Sequence, residues 1–385
     1  MANVTYLLGA GASANTIPIV TNMSDRFLAV IKELNQINAR KSSPEIINNW
    51  PIELKNNIHI LDLVIDNLVW LEKESRKHQT IDTLAKKYYL TDNSSLYRLK
   101  ETLIQYFLIE QLLFIGIRGP NRDSFIKKKE YRYDSFFAAL LGKSENGLKV
   151  KDNLKIVTWN YDQQIELALN SFDDKLVIKR IKEKHQIVPN HYTVGISENV
   201  NLDLNKFACL KLNGNAIWSP IPINGSDNRN CSLDYFGAED VTSEYLLGVL
   251  LKERSEMRTI NGFDHIGNST QQMNFSWEDD EGFTQKYKGF NAHRNLLKDI
   301  AANTDCLVII GYSFPVFNRE VDKEFIEGLR TVKKVYIQDP NCEIIKEVLI
   351  NGFNRINNLY KSDHNAIYLQ KDTSQFLIPF ELSEK

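Results

Sequence analysis

The chain has 385 residues, 43% of them hydrophobic and 25% charged, with 47 Lys and Arg against 49 Asp and Glu and a net charge of −2. That length accommodates two average domains or one large α/β domain with insertions, and the composition is that of a globular protein. The near-neutral balance argues against a dominant polyanion-binding surface, no apolar run reaches the length of a membrane span, and the N-terminus enters a strand pattern with no basic leader.

The first element is a short apolar strand from Val4 to Leu8, which runs into Gly9-Ala10-Gly11-Ala12-Ser13-Ala14. Gly9 and Gly11 lack a Cβ, so their N–H groups can press against a pyrophosphate, and Gly9-x-Gly11-x-x-Ala14 fits the dinucleotide fingerprint. A plain small-residue turn after a buried strand has the same composition. The period then becomes helical, with Phe27, Leu28, Val30, Ile31 and Leu34 on one face behind a Ser24-Asp25 start. Dense apolar helices over 58–71 and 96–117 follow, Gly119-Pro120 ends the second, and 133–141 reads as one more. Residues 22–150 are therefore expected to form a helical insertion, serving as a cap or an oligomerisation surface. Strands resume at 154–159, with a short helix over 162–169 and further strands at 176–178 and 208–212. Residues 219–289 read as a loop-rich insertion with a helix over 243–258. The last third alternates cleanly: helix 291–302, strand 307–311, helix 320–329, strand 335–337, helix 343–349, strand 366–369. Apolar strands alternating with helices imply an α/β fold, a Rossmann-like parallel sheet covered on both faces, carried by 1–21 plus 151–385. Cys209, Cys231, Cys306 and Cys342 are scattered without a Cys-x-x-Cys pair, which argues against a zinc ribbon or a disulfide framework and fits a reduced cytoplasm.

Five strands end in small or polar clusters: Gly9 to Ser13, Thr158 to Asp162, Lys211 to Asn215, Gly311 to Pro315 and Gln338 to Asn341. An open parallel sheet binds its ligand beyond the carboxyl ends of its strands, so these clusters are expected to converge on one crevice. Each also has a structural reading. Asn160 or Asp162 can cap the helix that follows, Ser313-Phe314-Pro315 and Asp339-Pro340-Asn341 are turn sequences, and Trp159 and Trp218 are packing residues.

Taken as a set, four of these clusters resemble the sirtuin-like NAD-binding domains. Gly9-Ala10-Gly11-Ala12-Ser13 with Ile17-Pro18 is similar to the family's first glycine loop, and Thr158-Trp159-Asn160-Tyr161-Asp162 to its Thr-x-Asn-x-Asp motif. Lys211-Leu212-Asn213-Gly214 is similar to Lys-Leu-His-Gly, and Gly311-Tyr312-Ser313 to Gly-Thr-Ser. The resemblance implies that Gly9, Ala10, Gly11 and Ser13 hold the pyrophosphate. Asn160 would reach the nicotinamide ribose or position a water, Asp162 would face the nicotinamide amide, and Gly311 and Ser313 would line the adenosine side. Asp339 and Asn341 are candidates for the adenine ribose. NAD would be a substrate, and no metal is implied.

Two departures qualify the resemblance. Asn213 stands where the family's catalytic histidine is expected, and asparagine can hydrogen-bond a ribose hydroxyl without taking its proton. Either the chain only binds nucleotide, or Asn213 replaces a histidine; the intact remaining motifs favour replacement. His185 and His191 read as surface residues, not substitutes. The second departure is the missing zinc ribbon, with a helical module in its place. Members of that kind resemble bacterial antiphage effectors that deplete NAD, assemble as oligomers and pair with a HerA-type DNA-translocating ATPase. The implied activity is an NAD glycohydrolase in the bacterial cytoplasm, with no membrane association and no direct nucleic-acid binding. An NAD-dependent protein deacylase and a non-catalytic NAD- or ADP-ribose-binding assembly subunit are the alternatives.

Overall fold

The computed structural model describes residues 1–18, 23–112, 129–145, 147–173, 178–189, 202–220, 243–261, 269–278 and 289–382. In chain order, β1 (Val4–Leu8) runs into a 3-10 turn (Ala10–Ser13), followed by α1 (Met23–Ala39), α2 (Pro44–Asn48), α3 (Ile52–Asn57), α4 (His59–Ser75), α5 (Ile81–Thr91) and α6 (Asn93–Leu112). Next come α7 (Tyr131–Leu140), β2 (Leu141–Ser144), β3 (Gly147–Val150), β4 (Leu154–Thr158), α8 (Gln164–Phe172), α9 (Ile178–Lys184), β5 (Ile187–Val188), β6 (Ala208–Lys211) and β7 (Gly214–Pro220). The remainder is α10 (Ser243–Asn261), β8 (Ser269–Met273), α11 (Gly289–Ala302), β9 (Cys306–Ile310), α12 (Arg319–Glu327), β10 (Lys334–Gln338), α13 (Cys342–Gly352), α14 (Asn354–Ser362) and β11 (Ile367–Gln370).

The fold is α/β, built on a seven-stranded sheet of order β11-β10-β9-β1-β4-β6-β5 in which every neighbouring pair is parallel. β1 is central. Val4 faces Leu154 and Cys306, and Leu8 faces Thr158 and Ile310, so β1, β4 and β9 end level and their following loops emerge side by side. β4, β6 and β5 build one side of β1, and β9 to β11 build the other. The order thus reverses beside β1, where a doubly wound sheet opens its ligand crevice. Every residue of β1, β4 and β9 is buried, because helices cover both faces. On one face Leu7, Val157 and Ile309 pack with Leu297, Ile300, Phe325, Ile326, Leu349 and Ile356 of α11 to α14. On the other, Tyr6, Leu8, Ile156 and Val308 pack with Tyr133, Phe136 and Phe137 of α7, Ile165 and Leu169 of α8, and Phe376 and Leu382 of the C-terminal tail.

Contacts divide the chain into two units. The sheet unit is Met1–Ala14, Glu130–Asn215 and Asn274–Lys385; the second is Asn15–Lys129 and Ala216–Met273. The second unit is mainly helical, with its own core: Phe27, Leu34, Leu61, Leu68, Leu99 and Leu108 are all 0% exposed. Phe27 of α1 meets Tyr106 of α6 edge to face at 4.6 Å.

Several sequence expectations change. The boundary of the helical module falls between Lys129 and Glu130 instead of at 150, because α7 and the β2–β3 hairpin belong to the sheet unit. Residues 216–273 join the helical unit, so 219–289 is not one separate loop-rich insertion. Within it, α10 matches the expected helix, and β8 was not foreseen. Of the strand expected at 176–178, residues 176–177 lie outside the described residues and Ile178 opens α9. Leu28, placed on the apolar face of α1, is 45% exposed. Residues 113–117 of the expected 96–117 helix, Gly119-Pro120 and Cys231 lie outside the described residues. Among those residues, no helix is long and apolar enough to cross a membrane.

Candidate functional site

The loops after β1 and β9 lie against each other. Gly9 N donates to Ile310 O at 3.0 Å and Gly11 N to Gly311 O at 3.0 Å. A Cβ on Gly9 would stand 2.5 Å from Gly311 O, and one on Gly311 would stand 2.5 Å from Gly11 C. Gly311 also has φ +59°, a left-handed conformation that side chains resist. The glycines are therefore needed for backbone to approach backbone. This corrects the amide cradle expected of Gly9 and Gly11, since both N–H groups are engaged by protein carbonyls. Ala10, between them, is exposed.

The polar centre lies between the ends of β1 and β4. Ser13 is 1% exposed, and Asn160 Nδ2 donates to its Oγ at 3.2 Å. Thr158 Oγ1 accepts from Asn160 N at 3.1 Å, which fixes the turn leaving β4. Asp162 is 6% exposed, lies beside the Ser13 side chain, and accepts from Gln164 N at 3.0 Å through Oδ1. Asp162 thus anchors the start of α8 and also faces the site. Burial raises its carboxyl above the usual range, against the pull of Lys211, of the hydrogen bond from Gln164 and of the Ser13 side chain. The Tyr133 side chain of α7 also lies beside Ser13.

The end of β6 joins this centre from the other side of β4. Lys211 Nζ donates to Asp162 O at 2.5 Å and to Glu166 Oε1 at 2.8 Å. Burial pushes the Glu166 carboxyl up, but Lys211 and Lys182 outweigh it and hold it below the ordinary value. Gln163 Nε2 donates to Asn215 Oδ1 at 3.4 Å, and Asn215 Nδ2 to Pro189 O at 3.1 Å. Asn213 is 6% exposed; its carbonyl accepts from Asn274 N at 2.9 Å, whereas its buried Oδ1 has no hydrogen-bond partner among the described residues.

Ser13 and Asn160 are in direct contact with Asp162 beside them, and Asn213 lies two residues beyond the Lys211 that grips Asp162. Gly311 meets the β1 loop by backbone alone. Ser313 is exposed. Asp339 Oδ1 accepts from Asn341 N at 2.7 Å and Asp339 O from Cys342 N at 3.1 Å, the turn that starts α13. Among the described contacts none joins Ser313, Asp339 or Asn341 to Ser13. His185 is 5% exposed, which corrects its reading as a surface residue; burial pushes its imidazole down to about 4. His191, like the side chain of Trp218, lies outside what is described.

Three groups around the site escaped the sequence reading. Tyr133 opens the helix expected over 133–141 and carries no site signal there, and Glu130 and Arg132 just ahead of it are only a cluster of charge before an apolar run. On the opposite face, Trp159 stacks on Tyr312 at 6.0 Å, the Tyr312 hydroxyl donates to Asp322 Oδ1 at 2.8 Å and Oδ2 at 2.7 Å, and Asn318 Nδ2 donates to that hydroxyl at 3.0 Å. Among the described residues no group of three or more His, Cys, Asp or Glu could hold a metal ion. The site can therefore offer a hydroxyl, two amides and a carboxyl to a hydroxyl-rich ligand. Compared with known proteins, the sequence matches no family model and no curated protein.

Proposed function

We propose that the chain binds NAD beyond the carboxyl ends of β1, β4 and β6, at a site of the sirtuin-like glycohydrolase type that releases nicotinamide and leaves ADP-ribose. The observation that carries this reading is the Asn160 to Ser13 contact of 3.2 Å beside the buried Asp162 carboxyl, at the place where the strand order reverses. Breaking the N-glycosidic bond places positive charge on the ribose, and preoriented polar groups around that ring stabilise it. Asn160 holds the ribose or the attacking water, Asp162 orders the nicotinamide side, and Asn213 Oδ1, without a partner among the described residues, accepts a hydrogen bond from a ribose hydroxyl. Nicotinamide leaves from a cationic ring, so no metal is required. In this reading the protein works in bacterial antiphage defence as an oligomer, with a HerA-type ATPase as partner.

Asn213 favours a second reading, binding without cleavage, because asparagine does not titrate. The experiment is NAD titration calorimetry together with nicotinamide release by the chain and by Asn213→His, with and without an ATPase partner. NAD binds both, and the histidine version releases nicotinamide about 100-fold faster or more. Binding by both with equal inertness assigns a binding subunit; absence of binding by either removes NAD altogether. Deacylation of a lysine-acylated peptide would move the assignment to a protein deacylase.

A further inference from the structure

Glu130 and Arg132, at the start of α7, are 2% and 5% exposed and form a two-point ion pair, Nε to Oε1 at 2.8 Å and Nη2 to Oε2 at 2.8 Å. The same Nη2 donates to Gly11 O at 3.2 Å and Ala12 O at 3.1 Å, the carbonyls immediately before Ser13. Nη1 donates to Thr373 O at 3.2 Å, and the guanidinium lies 5.0 Å over the Phe376 ring. On the other side, Glu130 N donates to Gln164 Oε1 at 2.8 Å, and Gln164 N donates to Asp162 Oδ1 at 3.0 Å. Asn160, two residues before Asp162 in the same loop, donates from Nδ2 to Ser13 Oγ at 3.2 Å, so the path returns to its start. It is a closed ring of polar contacts joining the loop after β1 to the loop after β4 through the first residues of α7.

A buried ion pair is a poor way to gain stability, since desolvation offsets most of its attraction. What a guanidinium supplies that an apolar residue cannot is a planar fork with fixed donor directions. Here the fork points at two carbonyls of the 3-10 turn, of which Gly11 O also accepts from Ala14 N at 3.4 Å.

We infer that Glu130 and Arg132 are positioning residues, which set the Ser13 hydroxyl against Asn160 and Asp162 by holding the Gly11 and Ala12 carbonyls on one side and Gln164 on the other. The inference rests on the NAD reading only for the choice of ligand. Arg132→Lys keeps a cation beside Glu130 but cannot serve two carbonyl groups and a carboxylate in the same plane; Glu130→Gln tests the other half of the pair.

Hydrogen–deuterium exchange, followed by peptide, measures the ring without any ligand. In Arg132→Lys, residues 9–18 and 158–166 exchange faster by about tenfold or more, while 306–310 and 334–338 keep their protection. Unchanged exchange in both loops, or equal acceleration across the whole sheet, overturns the inference. Calorimetry with NAD adds a second readout: where the parent chain binds NAD, Arg132→Lys binds it about tenfold more weakly. Undiminished affinity also overturns the inference. If the parent chain binds no NAD, the functional reading falls and the exchange pattern alone decides the positioning role.

Discussion

Gly311 holds the loops after β1 and β9 together at φ +59° with the Gly11 backbone 2.5 Å from where a Cβ would be. Gly311→Ala adds a left-handed strain and a backbone clash, so denaturant unfolding should show a loss of at least about 2 kcal/mol. Asp322 lends itself to a pH test. Burial raises its carboxyl from 3.8 to about 7, although the Tyr312 hydroxyl hydrogen-bonds to it. Between those values the folded chain holds a proton that the unfolded chain has released. The stabilisation from the protonated carboxyl is therefore present below pH ~4 and lost as pH rises to about 7, with a slope of at most about 1.4 kcal/mol per pH unit. Asp322→Asn removes that slope; unfolding curves at pH 4, 5.5 and 7 measure the difference. At this scale the sequence was informative where chemistry was local. Ser13, Asn160 and Asp162 each follow a strand directly, so their convergence required only that β1 and β4 be neighbours. The engagement of the Gly9 and Gly11 amides depended on Gly311, which is distant in sequence, and His185 looked exposed because its neighbours Lys184 and Gln186 are polar.

Among the elements, α7 carries more than its ten residues suggest. Its inner face supplies Tyr133, Phe136 and Phe137 to the core beneath β1, and its first turn supplies the ion pair that grips the glycine loop. The C-terminal tail completes that layer through Phe376, which meets Tyr133 at 4.8 Å and Phe136 at 6.0 Å. Phe376→Ala should cost about 3–5 kcal/mol in denaturant unfolding, with faster amide exchange in α7. The helical period of α7 was legible, but periodicity does not say which neighbour a helix packs against, and so α7 was grouped with the helices before it. Length explains other omissions: β5 is two residues, Ile187–Val188, too short for any alternation to register. The alternating last third was legible throughout except for α14, whose buried face among the named core residues is Ile356 alone.

At the scale of the molecule, each unit has its own core, and unfolding is expected to occur in two steps. Leu68→Ala in α4 and Ile309→Ala in β9, both at 0% exposed positions, should each lose about 2–5 kcal/mol. Calorimetry should show each substitution lowering a different transition; a shared single transition would make the units one cooperative body. The order of the sheet has a further consequence for the chain as it is made. β1 leaves the ribosome before both of its partners, which begin at Leu154 and Cys306. At about 5–20 residues per second, this fully buried strand waits roughly 15–60 s with an edge unpaired. During synthesis the sheet's centre is thus an exposed hydrophobic segment, a natural client for a nascent-chain chaperone and a place where translation speed and folding yield meet.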